Sequence, residues 1–175
     1  MRLTHRYLEH GAAHNLIQVG HRQTAIQYAI AGITKIYEAN LTLFGDNPLN
    51  SEMEGTMREW VVETLLQGAY LREYHLWEKD CKAYFAIMAE RNGETISIET
   101  QGLLTGIKNA LIRFNVAMPL DILSTIESVR KRVNVMKHDA GLELEHFVTE
   151  HHYKEAVNAV ERFWEYLADC EQVTP

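Results

Sequence analysis

The sequence predicts an all-α protein: one helical domain over residues 1–175, folded as an up-down bundle of four to five helices. Apolar residues recur at steps of three and four over long stretches, the period of a helix with one buried face. Only three prolines occur in the 175 residues, which leaves long helices uninterrupted. Period-two alternation is confined to the short run Ile96-Ser97-Ile98-Glu99-Thr100. A chain of this length and 46% hydrophobic content is enough for a single core.

The first element is expected from about Asn15 to Phe44, where Ile26, Ile30, Ile33, Tyr37, Leu41 and Phe44 form one stripe. Gly45-Asp46-Asn47-Pro48 breaks it. The second is the longest. Ser51 and Glu54 have the spacing of a reciprocal N-terminal cap, and Tyr70, Tyr74, Trp77, Cys81, Tyr84 and Met88 step four-three-four-three-four, a coiled-coil-like seam. Asn92-Gly93 supplies the stop. Some 40 residues at about 1.5 Å each span about 60 Å, so this helix must lie along another long helix or a partner subunit. Residues 94–101 are expected to be extended, and a short helix follows from about Leu103 to Phe114. Met118-Pro119 opens the next, from about Leu120 to Ala140, with Gly141 as a left-handed cap. The last is expected from about Glu143 to Cys170, carrying the stripe Tyr153, Val157, Val160, Trp164 and Leu167. Short connections make neighbouring helices antiparallel.

No stretch approaches the roughly 18 apolar residues of a membrane helix, and the first fifteen residues lack a signal-peptide core. The two cysteines, Cys81 and Cys170, are far apart and form no redox or metal motif, which suits a reducing compartment. The expectation is a cytoplasmic protein without a membrane partner. The net charge of −7 excludes a protein that coats nucleic acid by bulk electrostatics. The charge is unevenly spread, however. Residues 108–138 carry six basic and two acidic side chains, and residues 139–175 two basic and nine acidic ones. A local basic patch in the first of these segments suits a phosphate.

The chemistry concentrates in Arg130-Lys131-Arg132-Val133-Asn134-Val135-Met136-Lys137-His138-Asp139-Ala140-Gly141. Four cations and one histidine occupy the last turns of a helix. There the helix dipole and free carbonyls favour a protonated imidazole, and an imidazole that titrates near neutrality serves as general acid or base. An arginine fork matches a phosphate. Arg132 and His138 lie about 120° apart around a straight helix, whereas Arg130, Asn134 and His138 follow one another at every fourth residue and share a face. Arg130 is therefore the alternative phosphate binder.

This stretch resembles the HEPN domains, whose mark is an arginine followed after four to six residues by a histidine, with an asparagine close by. Arg132 and His138 have that separation, with Asn134 between them, and Asn134, Lys137, His138 and Gly141 also look like that family. The resemblance is specific over about a dozen residues and agrees elsewhere in helix order. It implies a metal-independent endoribonuclease, with no cofactor, acting as a homodimer whose two motifs face one cleft. The ribose 2′-hydroxyl attacks the adjacent phosphorus and leaves a 2′,3′-cyclic phosphate. His138 would transfer the proton, Arg132 would bind the phosphate, and Asn134 would orient one or the other. Arg130, Lys131 and Lys137 would contact the RNA. Such proteins act as toxins, in phage defence or in RNA processing, often restrained by a cognate antitoxin or regulatory protein. The other functional class is a non-catalytic helical dimer of the same type that binds RNA or a protein partner.

Three further features carry less. His10 and His14 have the i, i+4 spacing that can hold zinc, without a third ligand nearby. Glu143 and His146 form one Glu-x-x-His, and a di-iron bundle needs two. The aromatic seam of the second helix reads as core or dimer interface rather than as a base-stacking platform. Walker, dinucleotide-binding and nucleophile-elbow motifs are absent.

Overall fold

The structure, a computed structural model, describes residues 11–44, 48–99, 102–138 and 148–173. Five helices account for nearly all of them, and no strand occurs among the described residues. The helices are α1 (Ala12–Phe44), α2 (Pro48–Arg91), α3 (Leu103–Arg113), α4 (Leu120–His138) and α5 (Glu150–Val173). The all-helical bundle expected from periodicity is the architecture found.

Helices α1 and α2 form a long antiparallel hairpin. Thr34 faces Arg58, Tyr37 faces Gly55 and Arg22 faces Glu73 across it. At about 1.5 Å per residue the 44 residues of α2 span about 66 Å, while the 24 residues of α5 span about 36 Å. Helix α5 packs on the inner halves of α1 and α2, α4 packs on α5 and α2, and α3 packs on α2. The core lies where these layers overlap. Trp77, Cys81, Tyr84 and Phe85 of α2 meet Tyr153, Val157, Val160, Phe163, Trp164 and Leu167 of α5, with Ile122, Ile126, Val129 and Val133 of α4 and Leu103, Ile107 and Leu111 of α3 closing the sides. The aromatic contacts are edge-on: Trp77 to Phe163 at 5.4 Å and Tyr84 to Trp164 at 5.7 Å between ring centroids. The seam expected on α2 and the stripe expected on α5 are both core. Cys81 is buried among them, Cys170 is half-buried, and neither is in a disulfide.

The outer half of the hairpin is different. No described side chain between residues 20 and 39 of α1, or between 52 and 65 of α2, is buried. Ile26, Ile30, Ile33 and Tyr37 do turn toward α2, but a pair of helices covers them only partly. Leu41 and Phe44 lie within α1, and their side chains are outside the described residues.

Helix ends depart from expectation in informative ways. Helix α2 begins at Pro48, so a first-turn proline opens it and Ser51 already lies inside the helix. The Ser51–Glu54 cap is therefore not the start. It closes as Asn92-Gly93 suggests: Gly93 takes a φ of 70°, and the amides of Gly93 and Glu94 donate to the carbonyls of Glu90 and Ala89. Residues 94–99 follow without helix or strand pairing. Asn115 ends α3 in the same way, with a φ of 55°. Helix α5 starts at Glu150, later than Glu143, because Thr149 and His152 cap it reciprocally. The Thr149 Oγ1 accepts from the His152 amide at 3.3 Å, and the His152 Nδ1 accepts from the Thr149 amide at 3.3 Å. The expected Gly141 cap, Asp139, Ala140, Glu143 and His146 lie outside the described residues, as does His10.

Candidate functional site

Helix α4 carries its buried stripe, Ile122, Ile126, Val129 and Val133, against α5 and α2. At about 100° per residue, Arg130 and Arg132 flank this stripe on opposite sides. Both are half-buried, while Lys131, Asn134 and Lys137 are exposed. No acidic side chain occurs from residue 128 to 138, so the last three turns of α4 form a cationic ridge. His138 is the final helical residue, and its side chain lies outside the described residues.

The two arginines meet neighbouring tyrosines of α2. The Arg132 guanidinium lies beside the Tyr70 hydroxyl, which donates to the Val129 carbonyl at 3.5 Å. Burial pushes Tyr70 up to about 12, with the Arg132 charge opposing the rise. Arg130 lies close enough to Tyr74 to oppose a still larger upward shift, which burial causes and the Glu78 charge adds to. The Arg130 Nε is buried and has no hydrogen-bond partner among the described residues. The stripe therefore separates the arginines: Arg132 lies beside Tyr70, and Arg130 shares its face with Asn134.

A second polar cluster escaped sequence reasoning. Where the hairpin leaves the bundle, Arg22 of α1 grips Glu73 of α2 through two parallel bonds, Nε to Oε2 at 2.8 Å and Nη2 to Oε1 at 2.7 Å. Glu73 is only 2% exposed. With His21, Ala25, Ile26, Ala69, Arg72 and Tyr153 the pair lines a cleft of about 240 Å³. Burial, and then the Glu73 charge, pushes the Tyr153 hydroxyl up to about 12. Burial followed by the Glu165 and Glu73 charges also raises the Glu161 carboxyl. The pair is far apart in sequence, and neither residue sits in a motif. The available signal was a lone glutamate at a position facing the α1 stripe.

Among the described residues no three His, Cys, Asp or Glu side chains converge as a metal set. His14 is half-buried, and no described helix is long and apolar enough to cross a membrane. No family model, curated protein or solved structure matches the chain.

Proposed function

We propose that the chain is a HEPN-like, metal-independent endoribonuclease that works as a homodimer. The observation that supports this reading best is the cationic ridge at the end of α4, where Arg130, Lys131, Arg132, Asn134 and Lys137 lead to His138 with no intervening carboxylate. His138 takes the proton from the ribose 2′-hydroxyl. The new bond forms from O2′ to phosphorus, and the bond from phosphorus to O5′ breaks. The departing oxygen takes up a proton, leaving a 2′,3′-cyclic phosphate. This chemistry needs charge stabilisation on the phosphoryl oxygens and proton transfer, and no metal. Arg132 supplies phosphate contact in the reading from the motif. Arg130, which shares its helical face with Asn134, is the alternative guanidinium, with Asn134 orienting the phosphate on that face. Lys131 and Lys137 hold the flanking backbone. A cognate antitoxin or other regulatory protein would restrain such an activity in the cell.

The test is cleavage of RNA in EDTA with end-group analysis. The wild-type chain is expected to release cyclic-phosphate ends. His138→Ala should lose about 100-fold or more of the rate, the typical contribution of general acid–base catalysis, with its helical circular dichroism unchanged. Arg130→Ala should cost more than Arg132→Ala if the guanidinium beside Asn134 is the phosphate contact. Intact RNA after incubation with the wild-type dimer removes the enzyme. The second reading, a non-catalytic helical dimer that binds RNA or a protein partner, draws on the exposed apolar side chains of the outer hairpin. It expects RNA retention or partner binding that His138→Ala does not alter.

A further inference from the structure

The cleft at the junction of α1, α2 and α5 takes no part in the chemistry of the α4 ridge, and its lining is chemically specific. Basic groups outnumber acidic ones there. Arg22, Arg72 and His21 line it against the single carboxylate of Glu73. Both oxygens of that carboxylate are already taken by Arg22. Arg72 is exposed and makes no hydrogen bond or ion pair among the described residues, so its guanidinium is open to a ligand.

Tyr153 is the second observation. It is 1% exposed and lines the cleft, yet its hydroxyl makes no hydrogen bond among the described residues. A buried tyrosine hydroxyl ordinarily has a partner. Burial and the Glu73 charge keep the proton on it, so it remains a donor. Ala25, Ile26 and Ala69 supply an apolar wall. An enclosed cavity of ~150 Å³ takes a benzene. The cleft, at about 240 Å³, has room for a body of that size with one polar group attached. Charges outside the lining limit the ligand further. Asp80 acts on Arg22, and Glu161 on Tyr153, without lining the cleft. They oppose a multiply charged anion, so a single negative charge fits better than the nearly two of a phosphate monoester.

We propose that this cleft binds a small organic monocarboxylate with a compact apolar body. The carboxylate accepts from the Tyr153 hydroxyl and from Arg72, the two donors left without partners among the described residues. The apolar body lies against Ala25, Ile26 and Ala69. Arg22 and Glu73 neutralise each other and shape the site between them. A ligand there touches α1, α2 and α5 at once, so its binding ties the arm to the bundle. No residue of α4 takes part, so the site stands whether or not the chain cleaves RNA.

Benzoate is the probe, titrated into the full chain and followed by amide shifts in proton–nitrogen NMR spectra. A fragment of this size, with its charge and its body both met, is expected to bind with a Kd of about 1 mM or tighter. The amides of Arg22, Ala25, Ala69 and Tyr153 should move. Benzyl alcohol, the same body without the charge, should bind about tenfold more weakly, and benzylamine more weakly still. Tyr153→Phe removes only a hydroxyl that bonds to no described residue, so the helical spectrum should be kept while benzoate affinity falls about tenfold. Arg72→Gln, at an exposed position, should cost about tenfold or more. Failure of benzoate to saturate by ~20 mM overturns the proposal. So do shifts at Lys131, Asn134 and Lys137 in place of the cleft residues. Tighter binding of benzylamine than of benzoate overturns it as well, because Glu73 then sets the charge of the ligand. Unchanged benzoate affinity in both Tyr153→Phe and Arg72→Gln does the same, since the probe then lies elsewhere on the molecule.

Discussion

Trp60 and Trp77 occupy the same helix and live in different environments. Trp77 is wholly buried, edge-on to Phe163 and tilted against Tyr74, with α5 lying across it. Trp60 stands in the open, in a stretch where no other described helix adds a third layer. The helices are continuous through both regions, so secondary structure does not separate them. What separates them is the number of neighbours: the inner half of the hairpin is one side of a multilayer core, and the outer half is a pair. A helix pair buries a stripe, whereas a core needs two opposed faces. Substitutions should therefore divide at the point where α5 leaves the hairpin.

The largest effect is expected at the inner tryptophan. Trp77→Ala removes a wholly buried indole from between α2 and α5 and leaves a cavity that neighbouring rings cannot fill without leaving their rotamers. A loss of about 3–5 kcal/mol is expected from urea unfolding followed by circular dichroism. A cost below about 1 kcal/mol would mean that the inner region is as loosely packed as the outer one, and the contrast would fail.

The boundary between the regions is Arg22–Glu73, and it should be nearly as sensitive for a different reason. The carboxylate of Glu73 is buried and is paired with the half-buried Arg22. Arg22→Ala strands that charge, at a cost of about 3 kcal/mol. The double change Arg22→Met with Glu73→Leu removes both charges and should recover most of the loss, because a packed apolar pair does as well as a buried ion pair. If the double variant is no more stable than the single one, the pair contributes more than mutual neutralisation, and the cleft around it is held open by those charges.

What the residues disclosed follows the same division. Periodicity identified the seam Tyr70, Tyr74, Trp77, Cys81, Tyr84 and the stripe Tyr153 to Leu167, because buried faces at helical spacing are a local signal. It identified Ile26, Ile30, Ile33 and Tyr37 equally well, but it could not tell a face with two opposing layers from a face with one. That difference depends on how far α5, which begins beside Arg22 and Glu73, reaches along the hairpin. The Arg22–Glu73 pair was illegible because nothing local marks two residues on different helices as partners. Helix starts misled where chemistry offered rivals: Pro48 displaced the Ser51–Glu54 cap, and His152 took the glutamate's place opposite Thr149. On α4 the motif marked the cationic ridge. The placing of Arg132 beside Tyr70 required the packing of α4 against α2.

The smallest effect is expected in the arm. Arg58 lies 5.4 Å from the centre of the Tyr37 ring, and its Nη2 is 3.5 Å from the Thr34 hydroxyl, so these contacts join the two outer helices where no deeper packing does. Tyr37→Leu keeps an apolar side chain on the stripe and removes the ring face. A cation–π contact at a partly open site is worth about 0.5–1 kcal/mol. Global unfolding should hardly register the loss, because the inner core sets it. Amide exchange should register it in the outer halves of α1 and α2, where opening is a local event drawn from the low end of the stability range. Faster exchange confined to those outer halves would show that the arm opens on its own. Exchange that rises equally across α4 and α5 would mean that the arm and the bundle unfold as one unit, and the boundary at Arg22–Glu73 would then be only geometric.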